Sequence, residues 1–146
     1  MEIEEEKKLA STLFNDCWNL IEKPTRTPLE DAEMLHLANT SRWHWGNVGG
    51  DAEKSIGEWQ CSRVNSLLGN GPAALLHAEL SKYWCAKLPS SNFMHASATE
   101  ALAYANHVLG RNEEALRFKD EAISLLAAVE LDDAEHIRKQ IEALPF

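Results

Sequence analysis

VLGRNEEALRFKDEAISLL, residues 108–126, carries the end of one helix, a turn and most of the next helix. Gly110 closes the first helix, since glycine takes the left-handed conformation that ends helices without strain. Asn112 is placed to cap the second, expected over 113–130. The same punctuation stands 41 residues earlier, where Leu68-Gly69 matches Leu109-Gly110, Ala74-Leu75 matches Ala115-Leu116 and Asn65 matches Asn106. One further step back, Trp18 falls on Trp59, Met34-Leu35-His36 on Leu75-Leu76-His77 and Trp43 on Trp84. Both helices and the turn between them share the offset, so the repeating unit is a helix pair, present three times. A helix pair cannot bury its apolar face alone, so the copies are expected to stack and share a core.

The rest of the chain fits that frame. Residues 3–22 place Leu9, Leu13, Cys17, Leu20 and Ile21 on one helical stripe. Pro24 and Pro28 break the chain, and Pro28 suits the first turn of a second helix running to about Trp45, with Gly46 as its left-handed cap. Asp51 caps a third helix, 52–68, and Pro72 starts a fourth, to about 87. Pro89-Ser90-Ser91-Asn92 separates it from a fifth, 93–109, and Asp132 or Asp133 caps a seventh, to about Leu144. No segment sustains the alternation of a strand, so the fold class is all-α. The expected architecture is a right-handed superhelical array of antiparallel helix pairs in one domain, about three pairs of period 41 with the seventh helix as a polar cap.

Composition narrows the function classes. With 146 residues the chain is long enough for one domain core, and 45% apolar and 25% charged residues place it among globular proteins. A net charge of −9 disfavours nucleic acid and anionic membrane surfaces, which both require a basic face. MEIEEEKKLA reads as neither a signal nor a transit peptide, and no apolar run approaches the roughly 20 residues of a membrane span. Cys17, Cys61 and Cys85 are odd in number, widely spaced and without a C-x-x-C, which suits reduced, buried thiols of a cytoplasmic protein.

At residues 99–126 the chain resembles the tetratricopeptide repeat (TPR) family. Gly110 stands at the family's turn glycine, Ala115 at its small residue five positions on, Phe118 at its aromatic and Ala122 at its second small residue, with Leu102-Ala103 upstream. The second copy keeps Gly69, Ala74 and Ala78 and has Ser81 for the later alanine. The period of 41 is longer than the family's usual ~34.

The resemblance implies a concave surface lined by the first helix of each pair. Its residues would be Trp18 and Glu22 in the first copy, Ile56, Trp59, Arg63 and Ser66 in the second, and Ser97, Glu100, Tyr104 and His107 in the third. Helical geometry groups them independently, because Trp59, Arg63 and Ser66 and likewise Glu100, Tyr104 and His107 recur at i, i+4 and i+7. An aromatic-plus-arginine face is the composition of binding hot spots, although Trp59 and Tyr104 also suit packing between pairs. Arg63 is the residue least at home in a core, and is expected to pair a carboxylate of a protein or peptide partner.

SRWHWGNVGGDAEKSIGEW, residues 41–59, concentrates three tryptophans and four glycines. Trp43 and Trp45 lie about 200° apart around a helix, so they cannot share a face. Trp43 has its repeat equivalent in Trp84 and is expected to close the helix end against its neighbour. Trp45 has none, which marks it as the copy-specific binding candidate. The glycine run lacks the Lys and Ser/Thr of a phosphate loop and reads as chain reversal.

Signs of an enzyme are sparse. Glu33-Met34-Leu35-His36 has the Glu-x-x-His spacing of di-iron bundles, but no second copy of that motif exists, and H-E-x-x-H is absent. His36 and His44 are about 12 Å apart along one helix and cannot share an ion. His36 and His77 occupy equivalent repeat positions, which points to packing or capping. Glu100 and His107 stand about 10 Å apart on one helix, too far for a direct acid–base pair. Neither a catalytic residue, a metal nor a cofactor is expected. The favoured reading is a non-enzymatic TPR-like interaction module. The alternative is a small-ligand- or metal-dependent helical enzyme whose pocket gathers the histidines and Trp45. A second copy of the chain covering exposed apolar faces, as a homodimer, is the other association expected.

Overall fold

The computed structural model describes residues 1–90 and 92–146, so Ser91 in the fourth linker lies outside the described residues. Seven α-helices follow one another among the described residues: α1 (Ile3–Ile21), α2 (Pro28–Val48), α3 (Asp51–Leu67), α4 (Gly71–Cys85), α5 (Met94–Val108), α6 (Asn112–Leu125) and α7 (Leu131–Glu142), with a short 3-10 turn at Leu126–Ala128. No strand occurs among the described residues. The helices pack as consecutive pairs, α1 with α2, α3 with α4 and α5 with α6, and each pair stacks on the next.

Local chemistry accounts for the boundaries. Thr27 Oγ1 accepts from the Glu30 amide at 3.1 Å while Glu30 Oε1 accepts from the Thr27 amide at 3.0 Å, a reciprocal cap that starts α2 ahead of Pro28. Asn70 Oδ1 accepts from the Ala73 amide at 3.3 Å and starts α4. The two repeat-related turns are superimposable in their bonding. Gly69 and Gly110 hold φ of +76° and +77°. At the first turn Asn70 N donates to Asn65 O and at the second Arg111 N donates to Asn106 O, each at 2.9 Å. Asn65 Nδ2 and Asn106 Nδ2 donate in turn to the carbonyls of Cys61 and Leu102, both at 2.8 Å.

Several boundaries differ from the sequence expectation. Gly46 is not a left-handed cap; α2 runs through it to Val48. A Cβ at Gly46 would meet only the tip of the Arg42 side chain, 2.8 Å from Nη1. Asn112 and Asp51 are first helical residues, not caps, and Asp132 and Asp133 sit inside the first turn of α7. There they favour the positive end of the helix dipole. The sixth helix stops at Leu125, five residues short of the expected end, where Leu126 turns into the core.

The third and fifth helices are the centre of the molecule. α3 buries ten of its seventeen residues and α5 eleven of its fifteen, and the two pack directly on each other. Alanines at 96, 98, 101, 103 and 105 let the neighbours of α5 approach closely. The seventh helix is anchored by Ala134, Ile137, Ile141 and Leu144 against Ala122 and Leu126. Burial of each isoleucine is worth about 1.5–3 kcal/mol. With α7 docked there, α1 and α7 form the two sides of an open groove above α3.

Candidate binding groove

Two rows of repeat-related positions run under this groove. The first row is Trp18, Trp59 and Glu100, and the second, four residues further along each helix, is Glu22, Arg63 and Tyr104. Trp18 and Trp59 pack with ring centroids 5.5 Å apart. Trp59 Nε1 donates to Glu100 Oε2 at 2.8 Å. Arg63 Nη1 lies 3.2 Å from Glu100 Oε1, close enough for an ion pair but without hydrogen-bond alignment, which leaves Oε1 with no hydrogen bond. The Arg63 guanidinium sits 5.3 Å from the Tyr104 ring centroid and 5.8 Å from that of Trp59. Burial raises the pKa of Glu100, opposed by the Arg63 charge and the Trp59 hydrogen bond. Burial also raises the Tyr104 hydroxyl, with Arg63 opposing and Glu100 adding.

The open groove is 640 Å³ in volume. Asn15, Trp18 and Asn19 of α1 with its C-terminal cap Glu22 form one wall, His136, Lys139 and Gln140 of α7 with its cap Ala143 the other, and Arg63 the floor. A smaller recess of 210 Å³ continues from it between Phe14, Trp18 and Trp59, reaching Ser97, with His136 and Gln140 at its rim.

The residues expected on the concave face therefore divide. Trp59, Ser66, Ser97 and Glu100 are buried between helices, and Ser66 Oγ has no hydrogen-bond partner. Arg63 reaches the groove with a side chain only 10% exposed and already faced by Glu100, so it is part of the core's electrostatics. Tyr104 is half-buried against the C-terminal core, and His107 stacks on Phe146 at 4.5 Å. Ile56 bridges the 210 Å³ recess and a second one of 170 Å³ beside Trp45. Trp45 itself is half-buried there among Ser11, Phe14, Asn15 and Glu53, with no histidine in the lining.

The other expectations for this region change too. Trp43 does not close a helix end; it is 68% exposed. His36 and His77 do not share a role, since His36 is exposed while His77 Nδ1 lies 2.7 Å from Glu58 Oε2. His44 is held by Glu6 at 2.9 Å, and that bond with a second from Asn47 lowers the Glu6 pKa. Glu58, Cys61 and His77 bring three metal-capable atoms within 4.8 Å of one another. A thiolate, an imidazole and a carboxylate are donors zinc accepts. Here, however, Arg42 Nε already donates to Glu58 Oε1 at 2.8 Å, and the Cys61 thiol donates to Ala38 O at 3.5 Å. Burial pushes the Cys61 pKa far up, so the trio fits a buried Arg–Glu–His network better than an ion.

Sequence reasoning passed over Asn15, Asn19, Lys139 and Gln140. A signal existed for α1, because Asn15, Trp18, Asn19 and Glu22 recur at i, i+3, i+4 and i+7 on the face away from the apolar stripe. No comparable signal ties the α7 residues to them, since the two helices meet only through the fold. Comparison with protein-family models, with curated proteins and with solved structures found no match to this chain.

Proposed function

We propose that this chain is a non-enzymatic, TPR-like interaction module that holds an extended segment of a protein or peptide partner in the groove between α1 and α7. The observation that carries the reading is the chemistry of the two walls. Asn15 and Asn19 on α1 and Gln140 on α7 each offer a donor and an acceptor, the pairing an extended peptide backbone needs. Trp18 supplies flat apolar surface, and Glu22 and Lys139 supply charges of both signs. Helices packed on a buried core pre-shape such a groove, so the receptor loses little freedom on binding. Arg63 forms the floor, held against Glu100 and beside the Trp59 and Tyr104 rings. Three free cysteines suit a cytoplasmic setting. No helix among the described residues is long and apolar enough to cross a membrane.

The test is selection from a displayed random-peptide library, with the wild type beside Asn19→Arg and Lys139→Glu. Both substituted positions are exposed, so both variants should melt with the wild type. Peptides retained by the wild type and weakened about tenfold or more by either variant support the groove. A library that yields no sequence, or peptides insensitive to both variants, overturns it.

A further inference from the structure

A separate recess, of 430 Å³, opens between α2 and α4 above α3 and shares no lining residue with the groove. Its volume lies in the roughly 300–1,000 Å³ range of small-molecule sites. Arg42, Trp43 and Gly46 come from α2, Lys54 and Glu58 from α3 and Trp84 from α4. Trp43 and Trp84 are the repeat-related tryptophans, so the stacking of two copies creates the space between them.

Arg42 is ion-paired here through one nitrogen and keeps its other donors unused among the described residues. Arg42 is fixed through Nε on Glu58 Oε1 at 2.8 Å, and that carboxylate is braced from its other oxygen by His77. Among the described residues neither terminal nitrogen of Arg42 has a hydrogen-bond acceptor. Gly57 leaves room for the Arg42 stem, because a Cβ there would lie 3.0 Å from Arg42 Cδ and 3.6 Å from its Cα and Cβ. Lys54 Nζ lies 4.6 Å from the Trp84 ring centroid and Lys87 Nζ 4.7 Å from the same ring. Neither lysine reaches a carboxylate among the described residues. Arg42 and Lys54 thus line one recess with the Arg42-bound Glu58, and Lys87 stands close by on the Trp84 ring, on a chain of net charge −9 and beside an indole that is 68% exposed.

We infer that this recess is a binding site for a small planar aromatic acid, a ring bearing a carboxylate or a phosphate. The anion takes the free edge of the Arg42 fork with Lys54 beside it, and the ring lies on Trp43. A guanidinium fork whose third nitrogen is already tied is pre-oriented for two oxygens of one anion. A neutral ring or a ringless anion satisfies only half of the site.

The experiment follows the indole N–H signals of the ¹⁵N-labelled full chain by NMR. Indole-3-acetate and adenosine monophosphate are the two titrants, with indole-3-ethanol and inorganic phosphate as half-ligands. Saturable shifts of the Trp43 and Trp84 signals with either titrant support the site, and the tighter of the two identifies the anion. Both half-ligands should bind at least about tenfold more weakly, as should the full titrants to Lys54→Glu and to Trp43→Ala. These variants alter side chains at the recess rim and leave the Arg42–Glu58 pair in place. No saturable shift up to about 10 mM, or variants that bind like the wild type, overturns the inference.

Discussion

The indole of Trp59 donates to the carboxylate of Glu100 at 2.8 Å across exactly one repeat, from a position in one copy to the same position in the next. Equivalent positions of the repeat therefore carry complementary chemistry: an aromatic donor in one copy and a buried acid in the next. Glu100 is 1% exposed and shares its space with the Arg63 guanidinium. The centre of the array is thus held by a polar cluster as well as by apolar contact.

The raised pKa of Glu100 gives stability a defined pH slope. Its folded-state pKa lies above the ordinary 4.5, so the folded chain holds this proton more tightly than the unfolded chain. That contribution is fully present below the unfolded value and is lost as pH rises through the folded value. Denaturant melts of the wild type and Glu100→Gln across this window should show the wild type losing stability relative to the variant as pH rises. Parallel curves would show that the carboxyl does not titrate differently on folding.

Arg63→Glu should unfold the protein in part and not merely disarm a surface. It sets a second carboxylate against the buried Glu100 and removes the cation stacked near Tyr104. Breaking a buried pair in this way costs about 3–5 kcal/mol. Thermal melting checks this directly; an unchanged Tm would place Arg63 at the surface.

Gly69→Ala and Gly110→Ala should cost nearly the same, about 1–2 kcal/mol each, from left-handed strain alone. No atom lies within 4 Å of where either Cβ would go. The two turns are far apart in sequence and share no hydrogen-bond partner. Urea unfolding of the single and double variants should therefore give additive losses.

The three thiols should resist alkylation in the native state. Burial pushes Cys17 up to about 12 and also raises Cys61 and Cys85, so little thiolate forms and reagents have no access. Labelling followed by mass spectrometry should track unfolding at every thiol. Fast labelling of Cys61 would reveal local opening at the Glu58–His77 network.

Zinc should leave the melting curve unmoved. Glu58 is already neutralised by Arg42, and the Cys61 thiol is held in its protonated form. A ligand at about 100 times its Kd would stabilise the fold by about 2.7 kcal/mol, a shift a melt resolves easily. An upward shift that Cys61→Ser abolishes would establish a metal site instead.

The seven helices of the described residues, the turns at Gly69 and Gly110 and the repeat were legible in the sequence because each depends on residues close in the chain. A glycine at a helix end, a proline at a helix start and a stripe of period 3.6 act within one or two turns. Repeat spacing then made Trp59 and Glu100 equivalent before any contact was known. Which of the aligned side chains stay open was decided only when α3 and α5 became the middle of a stack and α7 docked beside them. That step buried Trp59 and Glu100, left Trp43 exposed and set Asn19 across from Gln140. Helical spacing determines which residues share a face; what covers that face depends on segments distant in the chain, and burial follows from the cover.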